Sequence, residues 1–126
     1  MNGLTILAVT IAAALGAVMP AAFADPLPTQ VGQCTQTTIA RIEYRLQGMP
    51  QSGSAVSFAN RGYQVSYDTV PAIVHSRAGD PVRMCLVKVP RGCPPGDSRG
   101  REYTTTNLRT HESWTLPDAE HSCGGA

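Results

Sequence analysis

One lysine, one tryptophan and three scattered histidines make this chain poor in the residue types that usually announce a function. Charge of one sign is missing too, with ten basic residues against nine acidic ones. A near-neutral balance argues against nucleic-acid binding, which needs a net basic face to neutralise phosphate. No phosphate-binding Walker loop, dinucleotide fingerprint or His-Glu-x-x-His zinc motif occurs. Cys-x-x-Cys is absent, so thiol-disulfide catalysis has no foothold. Internal repeats, heptads and low-complexity tracts are lacking as well. Nine of the ten basic residues are arginine, with Lys88 the exception.

Among what is present, the first 24 residues are the most informative. Leu4 to Val18 is an uncharged apolar run, Pro20 breaks it, and Ala22-Phe23-Ala24 supplies the small-x-small pattern cut by signal peptidase. Residues 1–24 therefore read as a cleaved signal peptide. The run lacks a preceding Lys or Arg and, through Ala24, is long enough to span a bilayer, so a retained anchor is the competing reading. Asp25 and two nearby prolines follow it instead of a basic stop-transfer cluster. Cleavage leaves residues 25–126, a single domain by length, periplasmic or secreted and without membrane attachment.

Export changes how the cysteines are read. In an oxidising compartment Cys34, Cys85, Cys93 and Cys123 are expected to form two disulfides. Cys34–Cys85 with Cys93–Cys123 is preferred because the second bridge would tie two irregular segments together; Cys34–Cys93 with Cys85–Cys123 is the alternative. Cys85, Cys93, His121 and Cys123 follow no zinc-ligand spacing, and neither metal nor cofactor is expected.

Period and turn chemistry predict a β-rich fold. Residues 25–33 form a Pro-rich extended lead-in, expected to be poorly ordered, ahead of one domain over 34–126. Thr38 to Leu46 alternates, placing Ala40, Ile42, Tyr44 and Leu46 on one face and Arg41, Glu43 and Arg45 on the other. A short helix starting near Thr37 is the rival. Ser54–Ala59 and Tyr63–Tyr67 flank Asn60-Arg61-Gly62, a hairpin with Gly62 available for positive φ; Tyr63, Val65 and Tyr67 share one side of the return strand and Gln64 and Ser66 the other. Val82 to Val89, with apolar residues on both faces, is predicted to be central. A last hairpin joins Arg101–Thr106 to Glu112–Leu116, and its four-residue loop puts His111 in the left-handed region. About six short antiparallel strands result, forming an all-β sandwich or a partly open barrel.

Three segments could carry chemistry. Pro90 to Arg101 holds three prolines and three glycines, is anchored by Cys93, and displays Arg91, Asp97, Arg99 and Arg101. A stiff loop loses little entropy on docking, so these residues, with Arg109 and His111 at the hairpin tip, are the candidate contacts. Gly96-Asp97-Ser98 resembles the first half of the Gly-Asp-Ser-Gly-Gly nucleophile segment of trypsin-like proteases, but Arg99 stands where the next Gly belongs. Trp114 is expected in the core, beneath a disulfide or against Tyr103, with an exposed carbohydrate platform as the functional alternative. His75, His111 and His121 are dispersed and read as solvated surface groups.

These readings favour a non-enzymatic, disulfide-stabilised module that binds a protein or glycan of the cell envelope. An inhibitor that plugs a secreted protease or lysozyme with the 90–101 loop is the second expectation. A small hydrolase gathering His75 or His121 with Asp or Ser is the third, and a purely structural envelope component the fourth.

Overall fold

The strand predicted from Thr38 begins earlier, at a run with little hydrophobic content. In the computed structural model, which describes residue 3, residues 5–14, residue 16 and residues 25–125, β1 spans Cys34–Leu46. Its first half, Cys-Thr-Gln-Thr-Thr-Ile, buries Thr35, Thr37 and Ile39. β2 (Met49–Phe58) and β3 (Tyr63–Ser66) follow, then a single helical turn α1 (Pro71–Val74), then β4 (Pro81–Lys88), β5 (Glu102–Asn107) and β6 (Ser113–Pro117). Pro71 sits at the start of α1, where its missing N–H costs nothing. The apolar run at Pro71–Val74 is thus a helical turn that delivers the buried Ala72 and Ile73 to the core.

All six strands form one antiparallel sheet in the order β3-β2-β1-β4-β5-β6. The long β1 joins its two halves: residues 34–38 pair with β4 and residues 39–46 with β2. Irregularities at Ile39/Arg41 and Tyr44/Leu46 let the strand bend between partners. The sheet curls until its outer strands, β3 and β6, meet, giving the partly open barrel. β4 is indeed interior, but it buries one face only: Val82, Met84 and Leu86 point inward while Arg83 and Val87 are exposed.

The core gathers Ile39, Val56, Phe58, Ile73, Met84, Leu86, Tyr103 and Trp114. Where β3 and β6 meet there is no backbone ladder, and one side chain supplies the contact. Gln64 of β3 is fully buried. Its amide nitrogen donates to the carbonyls of Tyr103 (2.7 Å) and Leu116 (3.0 Å), and its Oε1 accepts from the Thr105 hydroxyl (2.6 Å) and the Trp114 indole N–H (2.8 Å). Every hydrogen-bonding valence of that amide is used.

Several sequence expectations need correction. The bulge near Ala40 shifts the phase of β1, so its expected buried face is open: Ala40 is exposed, Ile42 half-buried, and Tyr44 and Leu46 are 50% and 40% exposed. In β3 the two sides are both buried at the centre of the strand, through Gln64 on one and Val65 on the other. Arg61, not Gly62, takes the positive φ of the β2–β3 connection (68°). Gly62 sits where space is tight, since an added Cβ would lie 3.0–3.3 Å from the side chains of Asn60, Leu27 and Phe58. The lead-in is docked: Pro28 is buried, Leu27 packs on the core, and the Gly32 N–H donates to the Leu86 carbonyl. Other expectations hold. His111 has φ 63°, and the disulfides are Cys34–Cys85, whose residues face each other across β1 and β4, and Cys93–Cys123.

The expected cleavage motif at residues 22–24 and the break at Pro20 lie outside the described residues. Ile6, Leu7, Val9 and Ile11 are exposed and contribute nothing to the core. Among the described residues no helix is long and apolar enough to cross a membrane.

Candidate functional site

Pro90–Arg101 cannot join the sheet, and three of its backbone groups are tied to the C-terminal tail instead. Besides Cys93–Cys123, the Cys123 N–H donates to the Arg99 carbonyl (2.8 Å), the Gly100 N–H to the Asp118 carboxylate (2.7 Å), and the Asp118 N–H to the Arg101 carbonyl (2.9 Å). Gly100 must be glycine: its φ is 106° and an added Cβ would press on Ser122.

Two nominated contact residues are consumed inside this construction. Arg99 makes a forked pair with Asp97, both bonds at 3.0 Å, and also donates to the Gly125 carbonyl. Asp97 further accepts from the Gly124 N–H (3.1 Å). The Arg99 guanidinium, and then that N–H, hold the Asp97 carboxyl well below the usual carboxylate range. Arg101 is half-buried. Beside it, burial and then the Asp118 charge push the Tyr103 phenol up, opposed by Arg101. Outside the Asp97–Arg99 pair, in which Arg99 is itself partly exposed, the loop presents Arg91, Gly92, Pro94, Pro95, Gly96 and Ser98 outward.

At the hairpin tip, Arg109 is likewise a clamp. Its Nε and Nη2 donate to the two carboxylate oxygens of Asp80 (2.6 and 2.9 Å), and Nη2 also to the His75 carbonyl (3.0 Å). Asp80 is buried and also accepts from the Asn107 amide and the Arg77 N–H. Arg109 first, then those two donors, depress its pKa far below the ordinary value against the opposing effect of burial. Asn107 in turn donates to Ser76. This network locks the turn after α1 to the β5–β6 loop; at the tip Leu108 and His111 are exposed and outside it, and Arg109 is partly exposed while holding Asp80.

A hydrolytic constellation would need a histidine poised beside a nucleophile. His75 Nδ1 lies 3.0 Å from Glu112, with both side chains substantially exposed. The neighbouring Ser76 hydroxyl is turned inward, donating to the Ala72 carbonyl. Glu120 pairs with Arg45 rather than with His121. All four cysteines are bridged, and among the described residues no three His, Cys, Asp or Glu side chains converge. Trp114 is buried, so no carbohydrate platform can be built on it.

Two open hollows, each of about 720 Å³, mark the surface. One lies beside Arg91, where Val31, Val87 and Val89, between 40% and 62% exposed, border Pro90 and Lys88. Lys88 is paired with Glu102 (3.6 Å), whereas Arg91 makes no ion pair among the described residues. The other runs between the second half of β1 (Arg41, Ile42, Tyr44) and α1 (Ile73, Val74). Sequence reasoning identified Arg91 but missed its valines: Val87 and Val89 fall in a strand it reads as apolar on both faces, and Val31 in the extended lead-in. It also missed the roles of Asp80 and Gln64, whose side-chain partners are more than 25 residues away. No protein-family model, curated protein or solved structure matches this chain.

Proposed function

We propose that the exported chain is a non-enzymatic binding module of an oxidising compartment, the periplasm or the extracellular space, that takes a protein or glycan on the surface formed by Arg91, Pro94, Pro95 and the Val31/Val87/Val89 hollow. One observation carries this reading: a loop fixed to the tail by a disulfide and several hydrogen bonds, next to exposed apolar side chains and an unpaired guanidinium. Such a surface is pre-organised, so docking orders little additional chain. Arginine at the rim of an apolar patch is also a common composition for the centre of an interface. Two disulfides are compatible with export, since they persist where thiols are not kept reduced.

A photo-reactive residue at Ser98 tests the reading in the native compartment, with the same group at Gln36, on an exposed position of β1, as control. Ser98 should capture one defined protein or glycan, and Arg91→Ala should weaken its purified complex about 10-fold or more without changing the melting temperature. Equal capture from both positions, or undiminished affinity in the variant, overturns it.

The inhibitor reading survives in a narrower form, because Arg99 is folded back onto Asp97 while Arg91 is exposed. It requires that Arg91→Ala abolish inhibition of a secreted protease or lysozyme; retained inhibition rules it out.

A further inference from the structure

The second half of β1 has a partner on one edge only. Pairing with β4 ends at Thr38↔Pro81, and Ile39 makes the last bonds on that side, to the backbones of Gly79 and Asp80. Beyond it, residues 41–46 are held by β2 alone. The alternation of an antiparallel ladder fixes which groups are left over. The Ser54 N–H donates to the Asp68 carbonyl, toward the β3 side of β2. Ser54 and Val56 therefore turn their backbone away from β1, and their opposed residues Tyr44 and Ile42 turn theirs toward the open edge. Neither backbone is hydrogen-bonded on that edge among the described residues. This edge borders the hollow that Ile73 and Val74 face from α1.

Natural sheets protect such an edge or use it. β3 and β6 protect each other through Gln64. The β1 edge instead carries charges of alternating sign. Arg41 and Glu43 lie on one face, two positions apart, with Ile42 between them, and pair with each other at 3.3 Å. With side chains 72% and 41% exposed, this pair is worth little by itself and can be exchanged for the same pair across two copies. Arg45 is taken up by the Ser52 carbonyl and Glu120. An antiparallel copy of this segment centred on Ile42 sets Arg41 opposite Glu43 of the other copy, and Glu43 opposite Arg41, while the two Ile42 backbones meet as a hydrogen-bonded pair. Centring the pairing on Glu43 would set like charges against each other, which disfavours it.

We propose that two copies of this protein associate edge to edge through residues 40–44 of β1, forming a two-fold dimer whose register is set by reciprocal Arg41–Glu43 pairs. The interface is isologous, since each segment presents the surface that its copy requires. It leaves the Arg91 surface uncovered, so it does not depend on the binding function proposed above. The contact is short, and the dimer is correspondingly concentration-dependent.

Sedimentation equilibrium of the disulfide-bonded protein, from about 10 μM to about 1 mM, reads the association directly. The unaltered protein should pass from monomer to dimer across this range. Arg41→Glu sets acid against acid and Glu43→Arg sets base against base, so each variant alone should dimerise at least 10-fold more weakly. An equimolar mixture of the two should recover association as a heterodimer, because opposite charges then face each other twice. Circular dichroism and melting temperature establish that each variant is folded. Tyr44→Pro, which removes an N–H that points outward, should also block association. An unaltered protein that stays monomeric throughout overturns the proposal, including the case where the edge accepts an extended peptide from another protein instead. Single variants that dimerise undiminished, or a mixture that fails to recover, also overturn it.

Discussion

Replacing Gln64 probes what closes the barrel. The amide makes four hydrogen bonds from a fully buried position, two to carbonyls of β5 and β6 and two from Thr105 and Trp114. A hydrogen bond contributes about 1 kcal/mol net, and a buried partner left unsatisfied costs somewhat more. Gln64→Ala should therefore destabilise by about 3–5 kcal/mol, a large part of the 5–15 kcal/mol typical of a domain. At about 4–8 °C per kcal/mol, melting should fall by roughly 15–30 °C. Gln64→Met retains most of the volume but none of the bonds, so it should recover only the packing part, about 1 kcal/mol. Gln64→Glu adds a test of sign. Its carboxylate would face the Tyr103 and Leu116 carbonyls without solvent, which raises its folded pKa above the unfolded value of about 4.3. The variant should match the parent most closely below about pH 4.3 and lose stability relative to it as pH rises. Trp114, the sole tryptophan and itself a Gln64 partner, reports unfolding by fluorescence. A loss below about 1 kcal/mol in the alanine variant would refute the idea that this side chain holds β3 against β5 and β6.

Other consequences follow from the same geometry. Asp80 and Asp97 have folded pKa values held far below the usual range by Arg109 and Arg99; their stabilisation is complete above the unfolded value of about 3.9 and is lost as pH falls below it toward the folded values, which melting curves between about pH 2 and pH 6 will register. Gly53→Ala should destabilise by more than about 3 kcal/mol, because φ is 120° and the new methyl group would overlap the Ser66 carbonyl oxygen and the Tyr67 backbone; a soluble, cooperatively melting variant would contradict this. Removing Cys93–Cys123 with paired serines opens a 30-residue span and should cost about 3–4 kcal/mol in the chain-entropy account. Limited proteolysis of that variant should cut within 90–101 before the sheet, and cleavage in β4 or β5 first would count against the loop-and-tail unit. His111→Gly should relieve left-handed strain and leave stability level or raise it by about 0.5 kcal/mol, as measured by denaturant midpoint.

What the sequence made legible was local. A four-residue hairpin loop places His111 in the left-handed region whatever surrounds it, and the apolar run around Cys85 marks an interior strand. The preferred disulfide pairing also follows from a local argument, since two irregular segments without ladders need an external anchor. The failures come from a strand whose partners change along its length. A bulge in β1 reverses which residues face inward, so an alternation read as one continuous phase assigns Tyr44 and Leu46 to a core they do not reach. Thr35 and Thr37 are buried in the other half without any hydrophobic signature. Gln64 is the sharpest case, because a polar residue at a period-2 position is read as solvent-facing unless four distant partners are already known.

The same reasoning explains why counting exposed-looking arginines overstates the contact surface. Arg99 and Arg109 sit in connections that cannot use sheet hydrogen bonds, and each answers an aspartate whose other acceptor sites already take backbone or amide N–H groups. A planar guanidinium matches both carboxylate oxygens at once, which a lysine ammonium cannot do. In this small barrel the forked pairs fix irregular chain much as the disulfides do, through Asp80–Arg109 at one end and Asp97–Arg99 beside Cys93–Cys123. Arginines used this way are unavailable to a partner without first dismantling the loop they hold. Under the proposed binding function, recognition is left to side chains that the fold does not employ, and Arg91, bordered by exposed valines, is one of them.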